Sequence, residues 1–189
     1  YINKFNVAGM MIVRRGNILY ENYNFGNDQD SKWISFSVTK SVTSMLLGAA
    51  IKDGFIKSVN DPVTKYLPEL FGSNYEKISI KHILQMSSGI EWNEDYDDPY
   101  SDVNLAAGLN SSDLYKYLSK LDIIHKPGKK FNYNTAESNL IGGIVRSAVG
   151  SNLSSYLENK IWKPFGMESD AHWGLDTEFF DELGGCCIY

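Results

Sequence analysis

Ser37 and Lys40 stand three residues apart in Ser37-Val38-Thr39-Lys40, where a polar loop gives way to a run of small and apolar residues ending at Lys52. If that run is a helix, the spacing puts both side chains on one face, within hydrogen-bonding reach. A serine hydroxyl becomes a nucleophile when a neighbouring base takes its proton, and a neutral lysine amine is such a base. The first turn of the helix also offers backbone N–H groups that can form part of an oxyanion hole. The chemistry this pair points to is acyl transfer. Spacing alone is a weak signal, because a chain with this many serines and lysines yields one or two Ser-x-x-Lys matches by chance, and one is present. The bland alternative is an N-capping serine beside a solvated lysine. The apolar surroundings of Lys40 weigh against it, since a lysine entering a core needs a polar partner.

A second candidate is Tyr133, in Phe131-Asn132-Tyr133-Asn134-Thr135, after a Pro127-Gly128 turn and before a helical stretch. Held close to Ser37, a tyrosine in such a loop can act as general base. A packed loop aromatic is the competing reading for any one of 12 tyrosines. Other catalytic signatures are missing: there is no GxSxG, no GxxxxGK[ST] and no GxGxxG, and His82, His125 and His172 form no HExxH-like pair. No metal and no cofactor is called for. Glu91, Glu94, Asp95, Asp97, Asp98 and Asp102 form an acidic cluster that reads as a solvated loop. Its functional alternative is a rim for the cationic end of a substrate, whose binding would then weaken with salt. His82 reads as a core histidine, the four tryptophans mostly as packing, and Cys186 and Cys187 as buried free thiols without redox chemistry.

These residues need a framework. The chain has 189 residues, 43% of them hydrophobic and 22% charged, so a large core is available and a disordered chain is excluded. A net charge of −5 argues against a nucleic-acid partner. The longest apolar run, 45–51, is too short to span a membrane. Two strand-like runs, 7–13 and 18–23, joined at Gly16-Asn17, predict a β-hairpin. Residues 38–52 predict a central helix buried on nearly all faces and stopped at Gly54. Helices follow over 61–66 from an Asp61-Pro62 start, over 80–86 after Ser79, over 114–124 after Ser112-Asp113, over 135–149 up to Gly150, and over 153–162. Gly142-Gly143, inside one of them, predicts close approach of another element.

The segment SFSVTKSVTSMLLGAAIKDGFI resembles the first motif of the serine β-lactamase-like superfamily, in its class C and DD-peptidase-like branch. DPVTKYLPEL, ISIKHILQMSSGIEW, HKPGKKFNYNTAESNLIGGIV and SYLENKIWKPFGM follow in that family's order and approximate spacing. MSSGIEWNEDYDDPYSD looks most like the 6-aminohexanoate-oligomer hydrolase and esterase branch. The resemblance implies an α/β (α+β) three-layer fold, an antiparallel sheet with flanking helices plus a helical subdomain. It implies one catalytic domain over 1–189: hairpin and loop at 1–35, central helix at 36–54, helical region at 55–165, and the start of a return to the sheet at 166–189. By the same resemblance Ser37 is the acylated nucleophile, Lys40 its base or proton shuttle, and Tyr133 the second-motif tyrosine.

Thr135 departs from the family's Tyr-x-Asn, whose asparagine holds a substrate amide. Threonine donates one hydrogen bond in its place, which shifts the expectation from β-lactamase or peptidase toward an esterase or simple amidase. No Lys/His-Thr-Gly strand follows Pro164, so the chain is expected to be the front portion of a longer domain. The expectation is a serine hydrolase acting on a small-molecule ester or amide. A penicillin-recognising sensor or scaffold of the same fold, or a true β-lactamase or DD-peptidase, is the alternative. Compartment and oligomeric state are not legible.

Overall fold

Helix α1 (Thr39–Lys52) enters from a 3-10 turn at Phe36–Val38 and ends where the amides of Asp53 and Gly54 turn back to Ala49, Ile51 and their neighbours. Thr39, Thr43, Leu46, Leu47 and Ala50 form its buried stripe. The expectation of burial on nearly every face fails along the opposite stripe, where Val38, Ser41, Met45 and Gly48 are exposed. A row of small residues is compatible with either setting, so composition alone could not tell the two faces apart.

The computed structural model describes residues 2–189, as two units: one up to Ile34 and one from Ser35 to Tyr189. The first unit holds the expected antiparallel hairpin, β1 (Gly9–Arg14) and β2 (Asn17–Tyr23), with an irregularity between Ile12 and Val13. Its turn centres on Arg15 and Gly16, both at positive φ, rather than on Gly16-Asn17. That pair of left-handed residues gives the primed turn whose twist matches the strands.

The second unit is helical. It contains α1, α2 (Ile80–Leu84), α3 (Asp102–Ala106), α4 (Ser111–Leu118), α5 (Thr135–Val149) and α6 (Leu153–Leu157), which runs on into a π-helical turn at Glu158–Trp162. Helix α5 is the hub. Its Leu140, Ile141, Ile144 and Val145 are buried, and it packs on α1, α2 and α4. Burying side chains of that size stabilises the fold by about 1.5–3 kcal/mol each. Asn134 caps its start, accepting from the Glu137 amide at 3.0 Å, and Gly150 ends it at φ 66°.

Three expected helices come out differently. Pro62 is extended and bridges to Ser79, so only Val63–Lys65 forms a 3-10 turn; the Asp61 carboxylate accepts from Lys65 Nζ and Tyr66 Oη, each at 2.7 Å. α4 stops at Leu118 because Ile123 pairs with Ile90. α2 is shorter than expected, but Ser79 caps it as predicted, with the His82 ring returning a hydrogen bond from the Ser79 amide. His82 is therefore part of a capping box. The Gly142-Gly143 expectation is met: Gly142 lies against Gly184, and Gly143 against the Tyr115 ring end. Cys186 and Cys187 are half-buried and bonded to each other, not buried free thiols.

Candidate active site

Residues 183–188 organise the site by threading between α1 and α5. The Gly184 carbonyl accepts from Thr43 Oγ1 at 2.7 Å, and the Gly185 amide donates to Asn139 Oδ1 at 2.7 Å. Two glycines are needed to pass. A Cβ on Gly184 would stand 2.7 Å from the Ser138 carbonyl oxygen, and one on Gly185 would stand 2.8 Å from that of Thr135. Further along, the Ile188 amide donates to Ser35 Oγ at 2.8 Å and to Thr39 Oγ1 at 3.1 Å. The turn carrying Ser37 is thus fastened on both sides.

Ser37 sits in that turn, just after Phe36, whose φ is +44°. A bulky residue in the left-handed region costs about 1–2 kcal/mol. Strain of this kind persists only where surrounding contacts over-determine the backbone, as they do here. Lys40, one turn along α1, donates to Ser37 Oγ at 2.9 Å and to the Gly185 carbonyl at 2.8 Å. Its Nζ also lies 5.3 Å from the centre of the Tyr133 ring. Tyr133 is held by its neighbours: the Asn132 amide donates to the Met86 carbonyl and the Asn132 side chain to that of Trp92, while Asn134 caps α5. All three of Ser37, Lys40 and Tyr133 are half-buried. The structure thus brings them together around one amine.

Beside them is a cavity of 310 Å³ lined mainly by apolar groups, among them Trp92, Val103, Ala106, Leu109 and Leu114, with Ser37 on its wall. Thr135 also lines it, but its donors are engaged. The Thr135 amide donates to Glu94 at 3.0 Å, and its hydroxyl donates to the same carboxylate. Glu94, Asn139 and Gly185 are the residues the sequence reading missed as parts of this arrangement. The Gly184-Gly185 pair was the available signal, since adjacent glycines in an apolar stretch mark a close passage.

The remaining acidic residues of the cluster chiefly order their own loop. Asp102 accepts from the Asn93 amide and the Tyr117 hydroxyl, and Asp98 from the Tyr100 amide. A different acid lies under the site. Glu137, on the first turn of α5, is fully buried, accepts from Tyr75 Oη at 3.2 Å, and is pushed up to about 7 by burial, with the Ser88 and Tyr75 hydroxyls partly opposing the shift.

Comparison with known proteins gives the arrangement a context. The sequence profile of the Beta-lactamase family matches residues 3–182. A 6-aminohexanoate-dimer hydrolase of Paenarthrobacter ureafaciens is 31% identical over 184 residues, covering 93% of this chain and 46% of that protein. Protein flp of Staphylococcus aureus (strain N315) is 29% identical over 173 residues, covering 85% of this chain and 33% of that protein. Among solved structures, a class C beta-lactamase in complex with cefoxitin superposes with a TM-score of 0.70 at 22% identity, over 88% of this chain and 47% of that one. A beta-lactamase/D-alanine carboxypeptidase from Pseudomonas syringae gives 0.72 at 18% identity, over 90% and 48%. The chain spans about half the length, or less, of these relatives.

Proposed function

The chain belongs to the Beta-lactamase family, and on that premise we propose that it carries the nucleophile of a serine hydrolase that opens esters or simple amides through an acyl-enzyme on Ser37. One observation supports this above the rest: Lys40 Nζ contacts Ser37 Oγ at 2.9 Å while anchored on the Gly185 carbonyl and facing the Tyr133 ring. An amine in that position can accept the hydroxyl proton when it is neutral, and Tyr133 shares or relays it. Ser37 Oγ then bonds to the substrate carbonyl carbon, and the carbon–oxygen or carbon–nitrogen bond to the leaving group breaks as that group takes up the proton. A water molecule reverses the sequence, releasing the acid and restoring the serine hydroxyl.

Thr135 supports an ester or simple amide over a peptide-like substrate. Both of its donors are committed to Glu94, so it does not offer the substrate the hydrogen bond expected of it from the sequence. The apolar cavity beside Ser37 suits an aliphatic chain instead. The test is stopped-flow hydrolysis of a p-nitrophenyl ester. The expected trace is a burst of p-nitrophenol followed by steady release, with the burst lost in Ser37→Ala. A single stoichiometric burst with no steady phase would indicate a sensor that acylates once and stops.

A further inference from the structure

Glu94 does not line the cavity, yet each of the four groups that donate to it belongs to a residue that does. Trp92 Nε1 and the Thr135 amide donate to Oε2, while Tyr96 Oη and Thr135 Oγ1 donate to Oε1. A carboxylate has about four lone-pair positions, so its capacity is filled. Trp92 comes from the loop after the Ile90 bridge, Tyr96 from the acidic loop and Thr135 from the first turn of α5. Glu94 therefore ties its own loop, through Trp92 and Tyr96, to the start of α5 in a single wall, two residues from Tyr133.

We infer that Glu94 is a positioning residue that sets acyl-group specificity. By taking up every donor on that wall, it leaves a cavity that reads a substrate by apolar shape and offers it no hydrogen bond from Thr135, Tyr96 or Trp92. The acyl class this favours is an unbranched aliphatic chain; an acyl group carrying an amide against that wall loses its water contacts there and finds no donor from Thr135, Tyr96 or Trp92 in exchange. The inference rests on the proposal of an acyl-enzyme at Ser37 and names the substrate class of that same site.

The experiment compares kcat/KM for two p-nitrophenyl esters of matched chain length, the pentanoate and the N-acetylglycinate. A fluorophosphonate titration of Ser37 counts competent sites in every sample. In the wild type the pentanoate is expected to be preferred. Glu94→Ala frees the donors, and the preference falls about tenfold, the value of roughly one hydrogen bond to the competing substrate. Glu94→Gln moves it part of the way: the amide oxygen still accepts from the two N–H groups, but its NH₂ donates to the two hydroxyls, whose own protons are then released toward the cavity. A general structural role would lower both esters alike and leave the ratio fixed. An unchanged ratio in Glu94→Ala overturns the inference. If Glu94→Ala yields no competent sites, Glu94→Gln decides, because it releases the two hydroxyl protons while keeping Trp92, Tyr96 and Thr135 hydrogen-bonded: a lowered preference supports the inference and an unchanged one overturns it. Failure of the fluorophosphonate to label wild-type Ser37 would instead sink the acyl-enzyme proposal itself.

Discussion

Tyr133 and Glu137 lie four residues apart at the same end of α5, in opposite chemical settings. Tyr133 is half-buried, faces the Lys40 amine, and belongs to a cluster that opens on a cavity. Glu137 is sealed in the core with a tyrosine hydroxyl for company, and burial holds it up to about 7. The first setting keeps a hydrogen-bonded Ser37–Lys40 pair and a tyrosine ring beside an open cavity. The second makes an acid hold its proton more tightly because its charge would be poorly solvated there. A shifted acid near an active site is therefore not automatically part of the chemistry; access separates the two.

The widest predicted contrast between these regions comes from Lys40→Met. It removes the amine with little loss of bulk, and the acylation rate should fall by about a thousandfold, read from the burst phase, with the urea midpoint nearly unmoved. Glu137→Gln should do the reverse. The folded-state value of about 7 lies above the ordinary 4.5, so the folded protein holds that proton more tightly than the unfolded chain. Stabilisation from it is complete below pH 4.5 and lost as pH rises through about 7. The glutamine is neutral throughout, so the variant's stability relative to wild type should climb across that window by about 3 kcal/mol, measured by urea unfolding at the two ends. A flat difference would mean Glu137 is not titrating in the core.

Tyr75→Phe removes the hydroxyl donor from Glu137 Oε1 and should cost about 1–3 kcal/mol. Urea unfolding reads that cost, and the rate of acylation should be little affected. The smallest effect has the opposite sign. Phe36 is 63% exposed with φ at +44°, so Phe36→Gly relieves backbone strain at little cost in burial. It should raise stability by about 1 kcal/mol, seen as a higher melting temperature. A lower one would show that the phenyl group contributes more than its exposure indicates.

The same contrast explains what was readable in the sequence. Ser37 and Lys40 were legible because their relation is local, three residues apart where the 3-10 turn runs into α1. α5 was legible to the residue, since its apolar repeat and the Gly150 that stops it are local signals. Lys40's other partner, the Gly185 carbonyl, is 145 residues away in sequence, and no local pattern announces such a contact. Glu94 looked like one acid among six because two of its four donors, both on Thr135, lie 41 residues away and only folding brings them in. Thr135 was read as a donor to substrate for the same reason, its own acceptor being invisible. α1 misled in a different way: Ser41, Met45 and Gly48 suit a buried or an exposed stripe equally, and only packing separates them.

Intact mass after reaction with a fluorophosphonate, followed by peptide mapping, decides whether Ser37 is the acylated residue. Acylation at Ser37 gives one adduct per chain, on the peptide containing Ser37, absent in Ser37→Ala and slowed about a thousandfold in Lys40→Met. An adduct that persists in Ser37→Ala, or that maps to another residue, would contradict it.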